Sequence, residues 1–276
     1  MLRKAGHGVR LVETRGPGSA GWIARREIEN GAGLILVAGG DGTVNEALPG
    51  LVSTPVPLAV LPAGTANVLS TELGFGNSMR RAARELANLV PRRIAVGVVH
   101  ASGAAGPRYF LLMAGAGVDA AVVHRLNLDL KRTAGKLAYF AGGLRQAARR
   151  FEEFEVRYDG QRRRASFALV SRVRKYGGDF EIARRVTLLD NHFEAVLLEG
   201  RGIFRYVPYL AAMLAGRLER CRGATVAQLT AVELSVEPGI EAHIQVDGEY
   251  AGRLPARIEL ASGALTLLAP PDYGVR

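Results

Sequence analysis

One stretch limits what this chain can fold into more than any other: residues 34–45, LILVAGGDGTVN. Leu34, Ile35, Leu36, Val37 and Ala38 form an apolar run without polar alternation, which predicts a parallel strand covered on both faces. Gly39, Gly40 and Gly42 follow, a backbone that can take positive φ and approach a ligand without Cβ interference. Thr43, with Glu46 three residues on, predicts a capping box at the start of a helix. Strand, glycine turn and helix N-terminus together make an anion site, because first-turn N–H groups and the helix dipole both favour phosphate. Asp41 stands in the middle of that loop. A carboxylate there repels phosphate unless a metal ion or a proton transfer requires it.

A second unit of the same kind follows. The apolar run at 57–61 leads into LPAGTAN, residues 61–67, and then a predicted helix. Two strand–loop–helix units in succession put both loops at one sheet edge, where open α/β sheets bind ligands. The pair GGDGTVNE and LPAGTANVLS resembles the catalytic domain of the diacylglycerol and sphingosine lipid kinases. The resemblance continues at AGAGVDA (114–120), LKRTAGKLAYF (130–140) and VDGE (246–249), so it covers most of the chain in order. The glycine–aspartate loop alone is shared with NAD kinases and, more loosely, with phosphofructokinases; the GTAN segment and the late DGE favour the lipid kinases.

The resemblance implies ATP and Mg²⁺ as cofactors. Gly39, Gly40, Asp41, Gly42, Thr43, Asn45 and Glu46 would cradle the phosphates, with Asp41 near Mg²⁺ or the acceptor hydroxyl. Gly64, Thr65 and Asn67 would hold the nucleotide from the other side, and Thr14 matches a family position near it. Asp247 and Glu249 would supply a catalytic base and a metal-linked carboxylate, although Asp-Gly is equally a hairpin turn signal. The residues leave open which of Asp41, Asp247 and Glu249 accepts the proton. Asp119 falls where the family meets the lipid head group, and a capping or ion-pairing role suits it as well. Asp190, with the main-chain oxygens of Thr187 and His192, matches a structural Mg²⁺ site, with Asn191 in place of the usual glycine. The family opens with a strand and an Asn-Pro-x-x-Gly phosphate loop that are not found ahead of Thr14. The expectation is therefore weakened ATP binding that an upstream extension would raise.

Composition adds a field rather than a fold. The net charge of +10 attracts anionic surfaces and phosphorylated ligands. No nucleic-acid module or interleaved aromatics accompanies it, so nucleic acid is not an expected partner. A single cysteine, Cys221, rules out an internal disulfide and fits a reducing compartment. The first residues lack a signal-peptide core, and no apolar run approaches the ~18 residues that span a bilayer. The expectation is a cytoplasmic protein, peripheral on the membrane, with the basic stretch 131–150 lying on anionic head groups; a homodimer is left open.

The pattern changes near residue 92, from helix-period stretches to short β-like runs separated by Gly, Pro and charge pairs. The expected architecture is an α/β, doubly wound nucleotide-binding domain over 1–91, NAD kinase-like, and a β-rich, antiparallel, sandwich-like lipid-binding domain over 92–276, with the active site in the cleft. The expected function is ATP-dependent phosphorylation of a diacylglycerol-like lipid. The alternatives are a soluble NAD kinase-like enzyme and an impaired lipid- or nucleotide-binding relic.

Overall fold

The computed structural model describes residues 3, 6–118, 120, 151–176 and 180–275; Asp119 and the basic stretch 131–150 lie outside them. The chain divides into two compact units. One comprises Met1–Val96, Thr187–Leu189 and Ala261–Arg276, the other Gly97–Val186 and Asp190–Leu260. The division anticipated at residue 92 is a single cut; a linear reading gives no sign that residues 261–276 return to the first unit.

In the first unit the order is α1 (Ser19–Glu29), β1 (Ile35–Gly39), α2 (Asp41–Leu51), β2 (Leu58–Pro62), α3 (Val68–Glu72) and α4 (Met79–Glu85). Strands β1 and β2 are parallel, with Ile35 opposite Leu58 and Gly39 opposite Pro62. Helix α1 approaches α2 closely because both carry glycine at the crossing. A Cβ on Gly50 would overlap the Gly21 carbonyl, and one on Gly21 would meet the Glu46 carbonyl at 2.8 Å. One expectation fails here. β1 is less covered than its apolar sequence suggests, with Ala38 exposed. Among the described residues β1 pairs with β2 alone, so it is an edge.

Strand β3 (Val90–Ser102) carries the chain into the second unit. There follow β4 (Arg108–Phe110), β5 (Met113–Gly117), β6 (Phe154–Tyr158), β7 (Gln161–Ala165), β8 (Phe167–Ser171), β9 (Lys175–Tyr176), β10 (Phe180–Glu181), β11 (Phe193–Leu198), α5 (Tyr206–Leu214), β12 (Ala224–Leu229), β13 (Ala231–Ser235), β14 (His243–Val246) and β15 (Glu249–Ala269). The sheet order β12-β11-β8-β5-β14-β15-β13-β6-β7 is antiparallel throughout. Its apolar faces enclose Phe110, Phe154, Phe193, Ile244, Val246 and Ile258. The mixed α/β architecture with a large antiparallel sheet is the one expected. Strand β15 runs unbroken from Glu249 to Ala269. Its end lies in the first unit, where Leu267 pairs with Leu58, parallel to β2.

Phe110 and Phe193 stack at the centre of this core, ring centroids 5.6 Å apart. Gly97 on β3 leaves room for the Phe110 ring, which a Cβ at that position would overlap. Gly97→Ala is therefore expected to destabilise the protein by about 1–3 kcal/mol through overpacking, measured by denaturant unfolding; an unchanged midpoint would show that the ring has somewhere else to go.

Candidate active site

Strand β1 passes into α2 through a single residue, Gly40, at φ −91° and ψ −179°. The helix starts at Asp41, so Thr43 is not its N-cap and the predicted capping box does not form. Glu46, the other half of that box, instead accepts a hydrogen bond from the Gly18 amide at 2.8 Å, tying down the start of α1. Helical bonding begins with the Val44 amide donating to the Gly40 carbonyl. The amides of the first turn thus precede the intrahelical ladder and remain an anion-binding end. None of Gly39, Gly40, Gly42 and Gly64 takes positive φ. Gly39, Gly40 and Gly64 are glycines for space: a Cβ on Gly64 would lie 2.5 Å from the Gly40 Cα, and one on Gly39 would lie 2.8 Å from the Thr43 Cβ. The two glycine loops touch backbone to backbone.

Asp41 joins those loops. Its two carboxylate oxygens accept from the amides of Val68 at 2.9 Å and Leu69 at 3.1 Å, so an acid in the first turn of α2 caps α3. Asn67, buried and left-handed at φ 48°, locks the second loop from within. Its Oδ1 accepts from the Gly64 amide, and its Nδ2 donates to the Gly64 carbonyl and to Asn77 Oδ1, at 2.8–2.9 Å. Asn45 is buried in α2, and Thr65 and Thr14 are exposed. In the first unit the structure therefore brings Gly39, Gly40, Asp41, Thr43, Gly64 and Asn67 together. Asn77, which the sequence reading missed, completes the second loop and carries no motif that would have marked it.

In the second unit the DGE segment is the two-residue hairpin between β14 and β15. Asp247 and Gly248 both take positive φ, 47° and 85°, as the mirror-image hairpin turns require. The Asp247 carboxylate accepts from three successive amides, Leu111 at 2.9 Å, Leu112 at 3.0 Å and Met113 at 2.9 Å. It anchors the hairpin to the start of β5. The Glu249 carboxylate is partly exposed, and its partner is Arg108, 3.3 Å away. Of the three acids considered as base, Asp41 and Asp247 hold backbone amides and Glu249 holds another side chain.

The residues expected around a structural Mg²⁺ behave differently. Thr187 is buried and belongs with the first unit. The main-chain oxygens of Asp190 and His192, in the second, both face the buried guanidinium of Arg172, whose Nη1 lies 3.1 Å and 3.5 Å from them. The His192 oxygen expected at the metal thus already faces a cation of the chain's own. Among the described residues no cluster of three or more His, Cys, Asp or Glu is arranged to hold a metal.

Helix α5 has an inverted amphipathicity. Its tyrosines point inward: the Tyr209 hydroxyl donates to the Glu199 carbonyl at 2.9 Å, and the Tyr206 hydroxyl lies 2.8 Å from Ser166 Oγ. Burial pushes both hydroxyls above the usual tyrosine range, so they stay protonated. The apolar side chains of the helix, and Phe204 just ahead of it, point outward, with Phe204 88%, Val207 61%, Leu210 46% and Leu214 63% exposed.

With this geometry the chain aligns with a known family. Residues 1–99 match the model of the diacylglycerol kinase catalytic domain, and residues 113–269 match that of the YegS C-terminal NAD kinase beta sandwich-like domain. The chain belongs to this family of diacylglycerol kinase and YegS-like proteins. It is 29% identical over 260 residues to a Bacillus subtilis protein named "Diacylglycerol kinase", covering 92% of this chain and 83% of the relative. It is also 29% identical over 277 residues to a Chromohalobacter salexigens protein named "Probable lipid kinase YegS-like", covering 98% and 86%. A crystal structure of a diacylglycerol kinase from Bacillus anthracis superposes with a TM-score of 0.72 at 26% identity, over 94% of this chain and 85% of that one.

Removing the Asp41 carboxylate leaves the Val68 and Leu69 amides without their acceptor. Asp41→Ala should cost about 0.5–2 kcal/mol, the range for a lost helix cap, while Thr43→Ala, which caps nothing, should be close to neutral. Chemical denaturation of the two variants side by side checks the contrast.

Proposed function

We propose that the protein is an ATP-dependent lipid kinase that phosphorylates the hydroxyl of diacylglycerol or a related lipid at a membrane surface. The observation that carries the reading is the start of α2: a helix N-terminus against which a second glycine loop is packed without side chains, in a chain of this family. Phosphoryl transfer asks the protein chiefly for positioning and charge neutralisation. The amides of Gly42 and Thr43 suit the ATP phosphates, and Gly40 and Gly64 keep side chains away from them. Mg²⁺ arriving with ATP would supply neutralisation of phosphate charge. Both Asp41 oxygens already accept one hydrogen bond each, which leaves lone pairs for such an ion.

Of the three acids, Glu249 is the one assigned to receive the proton of the attacking hydroxyl, because its carboxylate is partly exposed and engages only a side chain among the described contacts, whereas Asp41 and Asp247 accept from backbone amides. Asp119 remains a candidate for the lipid head group, and Thr65 and Thr14 for the nucleotide, as the resemblance implies. The membrane part of the reading now rests on α5 in place of the stretch 131–150. Phe204, Val207, Leu210 and Leu214 form an outward apolar stripe, and the exposed residues Arg205, Arg217, Arg220 and Arg222 lie beside it in sequence. Apolar side chains with neighbouring cations are what an interfacial helix on anionic lipid requires.

Glu249→Gln should lower kcat by about 10²–10⁴-fold with little change in melting temperature, assayed as phosphate transfer from labelled ATP to diacylglycerol in mixed micelles. Full activity in that variant would move the base elsewhere. Separately, sedimentation with phosphatidylglycerol vesicles should fall at least about tenfold, 1.4 kcal/mol, in a Phe204→Ser, Leu214→Ser double variant. Binding should also weaken with salt, whereas equal binding to neutral phosphatidylcholine vesicles would refute the electrostatic half of the reading.

A further inference from the structure

We propose that the guanidinium of Arg172 is the resident cation of the turn at residues 190–192, standing where the family resemblance puts a structural Mg²⁺, so that this turn is held without metal. Arg172 follows the last residue of β8 and is anchored there by its own amide, which donates to the Leu112 carbonyl at 2.8 Å. Its side chain is the largest of those fully buried. A buried charge persists only when oxygen or anionic partners replace its water. Here Nη1 points at two main-chain oxygens of one turn, Asp190 at 3.1 Å and His192, at the outer limit of a hydrogen bond, at 3.5 Å.

A dication and this guanidinium want the same thing. Mg²⁺ demands hard oxygen ligands in a near-octahedral shell, and the His192 carbonyl belongs to the set it would use. Arg stays protonated at every pH the fold survives. Its charge is therefore a permanent repulsion toward a second cation, strengthened where water is excluded. The acidic complement is also thin: Asp190 is the only carboxylate of the set, because Thr187 and His192 enter through their main chain. One Asp can balance the single charge of Arg172 but not those of Arg172 and Mg²⁺ together. What the cation secures is the entry to β11, whose six residues are all buried. The sequence carries the signal for this in hindsight: an arginine directly after the apolar strand FALVS, where a buried strand end has no need of a charge.

The inference concerns folding and is independent of the nucleotide and of the lipid. Nucleotide-free protein is unfolded thermally in EDTA, in millimolar MgCl₂ and in NaCl of matched ionic strength, and its metal content is measured after purification. The expected result is one melting temperature in all three buffers and no stoichiometric metal. Arg172→Met, which keeps the length and drops the charge, should melt about 5–10 °C lower in EDTA. A magnesium-specific rise in the wild-type melting temperature, or a bound metal whose removal lowers it, would overturn the proposal. So would an Arg172→Met protein as stable as the wild type. If that variant does not fold, the wild-type metal content and EDTA response still decide the question.

Discussion

The first unit depends on one close approach. Gly40 and Gly64 bring two loops into backbone contact, and the Asp41 carboxylate spans them by capping the helix after the second loop. A side chain at Gly64 would push the loops apart and strain the cap, and a Cβ at Gly40 would sit only 3.1 Å from the Gly64 Cα. The first turn of α2 and the chain leaving β2 are thereby fixed relative to each other before any ligand arrives. Pre-positioned donors cost no reorganisation when charge has to be met.

The second unit uses the same device. Asp247, in a left-handed turn, gathers three consecutive amides, and it thereby orients the hairpin that presents Glu249. In both motifs the aspartate is mortar and its neighbours are left for chemistry. A motif carboxylate is easily taken for a reagent, because sequence records the acid and not what its oxygens touch. Here two of three acids accept from backbone amides, and Arg172 extends the pattern by bringing a cation of the chain's own to the turn at residues 190–192.

Much of the fold was legible. The two strand–loop–helix units and the change to β-period near residue 92 follow from periodicity and from Gly and Pro punctuation. The capping box was misread because Thr-x-x-Glu marks a helix start only if the helix begins at Val44, three residues later than Asp41. The glycines were read for φ when their use is space, a property of a partner loop about twenty-five residues away. Strand β12, ATVAQL, lacks a strong β-former pattern and exists because β11 offers it an edge. Arg172 and Asn77 carry no motif. Their roles depend on turns brought to them by the tertiary fold.

The return of residues 261–276 to the first unit bears on how the protein is made. The amide of Ser53 donates to the Ala264 carbonyl, the Arg93 guanidinium bridges Thr54 and Thr266, and Leu58 pairs with Leu267. A ribosome delivers β2 about two hundred residues before the strand that closes its free side. Until then the nascent first unit shows an unsatisfied parallel edge, the kind of surface that recruits wrong partners. Folding of this unit thus waits for residues 261–269 to leave the ribosome. Chaperone demand during synthesis should fall on the N-terminal half, although that half holds the recognisable motifs.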